Sequence, residues 1–480
     1  MNAPATASPP ARRTIGSLAR PSSATRSAQP PSSPGAVPRA DAFRSGGRTG
    51  YFVATAAVLL SGTMALGAPP PPTTKFQFEY DGDFLGNISG GLKRGAVYDG
   101  YLKLGGTVGF GNPEDWKEPD GKREFALHAS IIYPHGRALS QDYVGDLNGV
   151  SGYYSDPSLR LFSLWAQKEF FECRLSLRVG IWALDKGSGF WQSEGAGTFV
   201  NGGFGTFPIF ANDLVAAVFP VSAPCVRLQW EPVKNQLKLR TAVFSGDVGM
   251  PADNRHNTLW HLRARDGVAV FAEAEYRQKS DHGRLPGTYK VGGFYDSNSF
   301  DDLRGGVAHH GNYGFYVTAD QQVWLKHRKK SGRDSGKNVA GDDDNKQGLA
   351  VFGKLALVPR DRNFVRLDTE AGLTYTGLFE GRPDDVLGLG VAYSNVSPNA
   401  RDNAGQPFSN HSETVLELTY QWHVTKWETD GKKALGLDEN KYQDGLTVLV
   451  QPDFQYIINP GAVSCARNAV VAGLRVTVRF

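Results

Sequence analysis

Cysteine is scarce in this chain: three in 480 residues, Cys173, Cys225 and Cys465. They are too few for a disulfide framework and too scattered for a metal site. One disulfide with a leftover thiol in an oxidising compartment, or three inert small hydrophobes, are the two readings open. Charge of one sign is lacking too. The formal +4 comes from the start of the chain, where residues 1–67 hold seven arginines and one aspartate, so that 68–480 carry 45 basic and 47 acidic residues. A nearly neutral body leaves no footprint for nucleic acid. Long apolar runs are missing as well. The run YFVATAAVLLSGTMAL at 51–66 is too short and too alanine-rich for a spanning helix, and nothing after it approaches that length. Arg44 and Arg48 precede it, so it reads as the core of a secretory signal peptide, with Ala65 and Gly67 as the small residues before a cleavage after Gly67. A single anchoring helix is the alternative. Residues 1–43, rich in Pro, Ser, Ala and Arg, read as disordered: a long leader or an over-extended gene start.

What remains is rich in glycine (57) and aromatics (11%), which suits many strands joined by many turns. From residue 76 the chain repeats a strand of roughly ten residues and then turn residues. Sixteen strands are expected: 76–82, 98–108, 123–133, 159–171, 174–182, 225–231, 236–244, 268–278, 287–295, 313–326, 348–358, 364–377, 386–395, 413–424, 445–458 and 469–480. Many exceed the usual strand of a soluble sheet and match what a tilted strand needs to cross a bilayer.

Each strand has one clean apolar row and one polar, often charged row. In 364–377, Val365, Leu367, Ala371, Leu373 and Tyr375 oppose Arg366, Asp368, Glu370 and Thr374. In the last strand Val470, Ala472, Leu474, Val476 and Val478 oppose Gly473, Arg475, Thr477 and Arg479. Two soluble sheets could bury the apolar rows, but would not gather Tyr276, Trp324, Tyr375, Trp422, Tyr456 and Phe480 near strand ends. Aromatic girdles, an even strand count and closure without an edge point to a transmembrane β-barrel. The fold expected is all-β: a closed antiparallel barrel of sixteen strands over 68–480. Its last strand should pair with the first, near 76–82. Short links at 172–173, 232–235 and 359–363 are expected as periplasmic turns, and long ones at 134–158, 245–267, 327–347 and 425–444 as external loops. The segment 183–224, rich in Gly, Phe and Asn, is too long and too aromatic for a plain link, and is expected to fold into the lumen.

Several stretches in order resemble the carbohydrate-selective porins of the OprB type, from about residue 84 to the C-terminus. They include GNISGGLKRGAVYDGYLKL (86–104), HASIIYPHGRALSQDYVGDLNGVSGYY (128–154), LWAQKEFFECRLSLRVGIWALDKGSGF (164–190), FVNGGFGTFPIFANDLVAAVFPVSAPCVRL (199–228), PGTYKVGGFYDSNSFDD (286–302), YVTADQQVW (316–324) and PRDRNFVRLDTEAGLTYTGLFEGRPDDVLGLGVAYSNVS (359–397). The ending LVQPDFQYIINPGAVSCARNAVVAGLRVTVRF is similar too. Two features depart from the pattern: Cys225 stands where a glycine usually follows Pro224, and the first 43 residues have no counterpart. The resemblance implies passive diffusion of glucose-like monosaccharides across a Gram-negative outer membrane, with an eyelet that combines arginine, a carboxylate and an aromatic. It also implies that Phe480 is the terminal aromatic read by the outer-membrane assembly machinery.

A sugar path needs donors and acceptors that replace water, and aromatic faces, at a constriction that does not hold the solute too long. Lumen-side polar candidates are Arg178, Glu169, Gln167, Arg366, Asp368 and Glu370; aromatic ones are Trp165, Trp182 and Trp191. For each charge the plainer role is a solvated wall with paired neighbours. No catalytic residue, metal or cofactor is expected. GDDDN at 341–345 lacks calcium-loop spacing, Asp384 and Asp385 face opposite ways, and His309–His310 lack a third ligand. Expected partners are monosaccharides, outer-membrane lipid and lipopolysaccharide, and the assembly machinery, with a homo-oligomer left open. Two other functions compete. One is a general or ion-selective porin on the same barrel. The other is a secreted glycosidase or lectin, which would need a carboxylate pair at working separation and a soluble body.

Overall fold

A strand with one apolar and one polar row can face lipid and water at once, provided both its edges are hydrogen-bonded, and a closed ring of strands provides that. The computed structural model describes residues 73–111, 125–185, 189–214, 216–249, 254–260, 262–263, 266–280, 284–326, 347–403, 408–424 and 446–480. Among them sixteen strands form one closed barrel: β1 (Thr73–Gly91), β2 (Gly95–Phe110), β3 (Phe125–Gly136), β4 (Arg160–Phe170), β5 (Leu175–Trp182), β6 (Ala223–Val233), β7 (Leu237–Ser245), β8 (Val268–Gln278), β9 (Gly287–Phe300), β10 (His309–Leu325), β11 (Gly348–Leu357), β12 (Val365–Thr376), β13 (Val386–Val396), β14 (Ser412–His423), β15 (Thr447–Ile458) and β16 (Arg467–Arg479). Each strand is antiparallel to both neighbours, and β16 closes on β1 from Arg479↔Glu79 to Arg467↔Gly91. The signal peptide expected at 51–66 lies outside the described residues.

All sixteen expected strands are present, but β1 runs well beyond 76–82. Asp81, Gly82, Asp83, Gly86 and Asn87 look like turn formers. In the barrel Asp81, Asp83 and Asn87 take inward positions, where they are 1–2% exposed. A polar interior removes the reason to end the strand there.

The molecule is inside-out. Register sets Leu474, Phe84 and Tyr98 in one outward row, with Arg475, Asp83 and Asp99 in the inward row beside it. Phe84, Val291, Phe315 and Leu418 are exposed outside, whereas Asp83, Arg227, Glu273, Lys354 and Glu417 are buried within. Apolar outside and polar inside is the arrangement that lipid around a wet lumen selects. At the rim that holds the C-terminus, outward aromatics pair across strands: Phe78 with Phe480 (5.0 Å), Tyr276 with Tyr289 (6.4 Å) and Trp324 with Tyr375 (5.9 Å).

Strict alternation also corrects the placement of the links. Connections must alternate between the two rims, so 171–174, 234–236 and 377–385 share the C-terminal rim, while 137–159, 183–222, 246–267 and 358–364 share the opposite one. The link 359–363 is therefore not on the side of 172–173 and 232–235. Residues 327–346 and 425–445 lie outside the described set, but the strand ends they join, Leu325, Gly348, His423 and Thr447, are on the C-terminal rim. Loop length is only a tendency; strand parity is a topological constraint.

Candidate functional site

The segment 183–222, between β5 and β6, lies across the lumen and is tied to the far wall. Four inward carboxylates accept its backbone N–H groups: Glu273 from Trp191 (2.7 Å), Asp320 from Gly195 (3.0 Å), Glu417 from Val200 and Asn201 (2.6 and 3.1 Å), and Asp368 from Ile209 (2.9 Å). Two lysines donate to its carbonyls, Lys290 to Gln192 (2.7 Å) and Lys354 to Phe204 (2.6 Å). These anchors sit on β8, β9, β10, β11, β12 and β14, six of the sixteen strands.

Apolar packing fills the space between anchors. Trp191 stacks on Phe210 at 4.4 Å and meets Tyr316 edge-on at 5.8 Å, with Phe190, Phe207, Phe271 and Phe294 in the same cluster. Phe199 and Phe204 stack at 4.3 Å and pack on Phe352. The inward row of β13, Gly388, Gly390, Ala392 and Ser394, leaves room for them: a Cβ on Gly390 would lie 2.8 Å from the Phe199 ring and 2.9 Å from that of Phe204.

This packing reassigns four of the expected path residues. Trp182 and Trp191 are buried among the aromatics, so neither presents a face to a solute. Asp368 holds Ile209, and Glu370 lies 3.8 Å from the buried Lys354 ammonium. Both serve the loop's attachment. Arg366 is displaced in a different way. A bulge between Val365 and Leu367 puts Val365 inside. The Arg366 Nε donates instead to Asn395 (2.6 Å), whose amide reaches Tyr393 on the outer face. Strict alternation from Asp368 fails at that bulge.

The remaining four candidates do meet, on the near wall. Trp165, Gln167 and Glu169 share the inward row of β4, and Arg178 comes from β5 beside them. The Arg178 guanidinium lies 4.0 Å over the Trp165 ring, and His128 from β3 stacks on that ring at 4.8 Å. Flanked from both neighbouring strands, Trp165 acts as a rest for Arg178 rather than as an open platform for a sugar. Arg178 Nε donates to Gln167 Oε1 (2.8 Å), and Gln167 Nε2 donates to Glu169 (2.5 Å). Arg178, Trp165 and Gln167 are half-buried on the lumen wall.

A second stack of the same kind went unread in the sequence. Tyr153, from the link 137–159, stacks on Tyr101 at 4.8 Å, and the Arg475 guanidinium lies 4.5 Å from its ring. Arg475 makes a two-pronged ion pair with Asp83, both contacts 2.6 Å, across the β16–β1 seam. Arg227 and Arg240, on the inward rows of β6 and β7, were missed as well. Arg240 bridges Glu273 (3.3 Å) and Glu275 (2.6 Å). Parity along 225–231 and 236–244 would have found both. No sequence signal would have found Tyr153, because it arrives on a loop.

In the loops, burial pushes the Asp146 carboxyl up to about 6 and raises that of Asp213, although Asp213 accepts the Phe364 and Val365 N–H groups (2.7 and 2.9 Å). No disulfide joins Cys173, Cys225 or Cys465, so the disulfide reading falls. Among the described residues no group of three or more His, Cys, Asp or Glu is placed to hold a metal ion; GDDDN lies outside them.

Comparison with known proteins follows from this geometry. A family model described as carbohydrate-selective porin, OprB family, matches residues 107–429 and 440–480. Porin B of Pseudomonas aeruginosa is 24% identical over 455 residues, covering 84% of this chain and 87% of the relative. A putative porin, QuiX, of Acinetobacter baylyi is 29% identical over 218 residues, 45% of either chain. The high-pH structure of Pseudomonas putida OprB superimposes with a TM-score of 0.65 at 22% identity, over 85% of this chain and 94% of that one, a likeness of fold.

Proposed function

Because the chain belongs to the OprB family of carbohydrate-selective porins, we propose that it conducts glucose-like monosaccharides passively through the part of the lumen left between the anchored loop and the β1–β7 wall. A porin of this family is an outer-membrane protein of Gram-negative bacteria and a channel. The observation that carries the sugar path is the Trp165–Arg178–Gln167–Glu169 group. It sets donors and acceptors side by side on the inward faces of β4 and β5. A guanidinium held over a ring has its planar fork of N–H donors fixed in place, which suits neighbouring hydroxyls. Contacts of this sort replace water around the solute without trapping it.

Further parts of this reading are the C-terminal rim in the periplasm, Phe480 as the signal for the assembly machinery, lipid and lipopolysaccharide around the apolar belt, and a leader removed after Gly67. Swelling of liposomes carrying the purified protein tests the path. Glucose should enter faster than amino acids of equal size, and its flux should saturate. Equal rates for all small solutes would leave a general porin instead. Ion selectivity on the same barrel is the reading that a strong reversal potential without sugar block would favour.

A further inference from the structure

The rim opposite the C-terminus carries a group of arginines that the lumen does not use. The links 358–364 and 397–411 are stapled together there: Ser397 donates its N–H to the Phe364 carbonyl (2.7 Å) and its hydroxyl to that of Arg360. Two nearby arginines are neutralised, Arg362 by Asp361 (2.8 Å) and Arg304 by Asp402 (3.0 Å). Arg366 and Arg401 make no ion pair among the described residues. The bulge of β12 turns Arg366 to the outer face, where its Nε donates to Asn395 (2.6 Å). Its two terminal amino groups meet no acceptor among the described residues. The Asn395 amide donates in turn to the His411 carbonyl (3.2 Å), and the His411 ring lies 3.4 Å from Arg401 Nη1. Arg401 Nε is buried without an acceptor. The two guanidiniums are thus joined through Asn395 and His411, beside an exposed third arginine, Arg360.

An arginine on the lipid-facing side is costly at mid-membrane and tolerated near an interface. Arg366 is the second residue of its strand, close to the rim, and the neighbouring outward residue is an interfacial aromatic, Tyr393. With Nε engaged, the far end of its guanidinium still offers two N–H donors side by side, the geometry that grips a phosphate. We propose that Arg366 and Arg401 dock a phosphate group of a lipopolysaccharide molecule in the outer leaflet. Charge complementarity selects this occupant: the surface at that height is apolar apart from cations that lack carboxylates. The proposal rests on the reading that this rim faces the cell exterior, and it gives the lipid a definite seat on the belt.

Native mass spectrometry of the detergent-purified barrel, titrated with rough-type lipopolysaccharide, tests this. The wild type should retain the lipid. Arg366→Gln and Arg401→Gln should each weaken binding about fivefold, the attraction of one surface arginine for an anionic membrane. Arg304→Gln removes a cation that is already paired and should change nothing. Lipopolysaccharide stripped of its phosphates should bind the wild type at least fivefold more weakly than the intact lipid. Equal binding of the two lipids overturns the proposal without any variant, so one that fails to fold does not shelter the idea. Displacement by inorganic phosphate at equal concentration would make this a small-anion site and overturn the lipid. Intact cells separate the site from the orientation. Cys465 is exposed in the link 459–466 on the same rim and should react with an impermeant maleimide. Labelling only after the cells are broken puts this rim in the periplasm and overturns both; labelling in intact cells, with Arg366→Gln and Arg401→Gln binding like the wild type, overturns the site alone.

Discussion

Glu417→Ala isolates one anchor of the lumen loop. The Glu417 carboxylate accepts the Val200 and Asn201 N–H groups at 2.6 and 3.1 Å in a buried site. Each buried donor left without an acceptor costs about 1–3 kcal/mol, so the substitution weakens the docked state of this stretch by about 2–6 kcal/mol. At about 1.4 kcal/mol per factor of ten, the population of undocked loop rises by between one and four powers of ten. What still holds the stretch includes Asn201 Nδ2 on Gln455 Oε1 (3.0 Å), Gly152 N–H on the Val200 carbonyl (3.0 Å), Gly202 N–H on the Gly149 carbonyl (2.7 Å), Gln451 on the Thr198 carbonyl (2.7 Å), Lys354 on the Phe204 carbonyl (2.6 Å) and the Phe199–Phe204 pair on β13 and Phe352. The barrel itself loses no ladder hydrogen bond, so the protein should still fold and insert. Single-channel recordings should then show flicker between the wild-type level and a higher one, with weaker block by glucose. Glu417→Gln keeps one acceptor oxygen, and its effect should fall between the two. Steady wild-type conductance and unchanged block in Glu417→Ala would show that the remaining hydrogen bonds and aromatic packing dock the loop without this carboxylate, and would refute the anchoring argument.

Other outcomes follow from single contacts. Arg475→Ala leaves the buried Asp83 carboxylate without its partner, opposite Asp99 and beside Asp81. Breaking a buried pair this way costs about 3–5 kcal/mol, so the folded band on an unheated gel should disappear at a lower temperature than in the wild type; an unchanged transition would rule out the pair as a seam fastener. Asp146 has a carboxyl raised from 3.8 to about 6 by burial. The folded state then binds the proton more tightly than the unfolded state, so the stability it contributes is full below about pH 4 and falls away as pH rises to about 6. Asp146→Asn should flatten hydrogen exchange of the 137–159 link across that window, and a slope that persists would assign it to another group. Cys465 is exposed and Cys225 is buried beside the loop packing, so a maleimide should label Cys465 in the folded barrel and Cys225 only after unfolding. A mobility change on reduction would contradict the absence of a disulfide.

What the sequence determined by itself is the barrel. Period-two alternation with charges in the polar row, sixteen times over, is a local property of the chain, and it decides which side of each strand meets water. Val470 to Phe480 illustrate it: parity alone assigns Arg475 and Thr477 to the interior, where each is held by an aspartate of β1. Parity fails where the backbone inserts an extra residue, as at the bulge that turns Arg366 outward. Polar turn formers also mislead when the interior is polar, as in β1. Only the tertiary structure decided how the lumen is divided. Whether an inward charge faces solute or fastens a loop depends on what crosses the barrel in front of it. Asp368, Trp182 and Trp191 are buried where the 183–222 segment attaches and packs, whereas Arg178, Gln167 and Trp165 stay half-buried beside it, Trp165 against the edge of the same cluster. That difference follows from the course of a loop whose anchors lie more than eighty residues away in the chain, and no spacing along one strand encodes it.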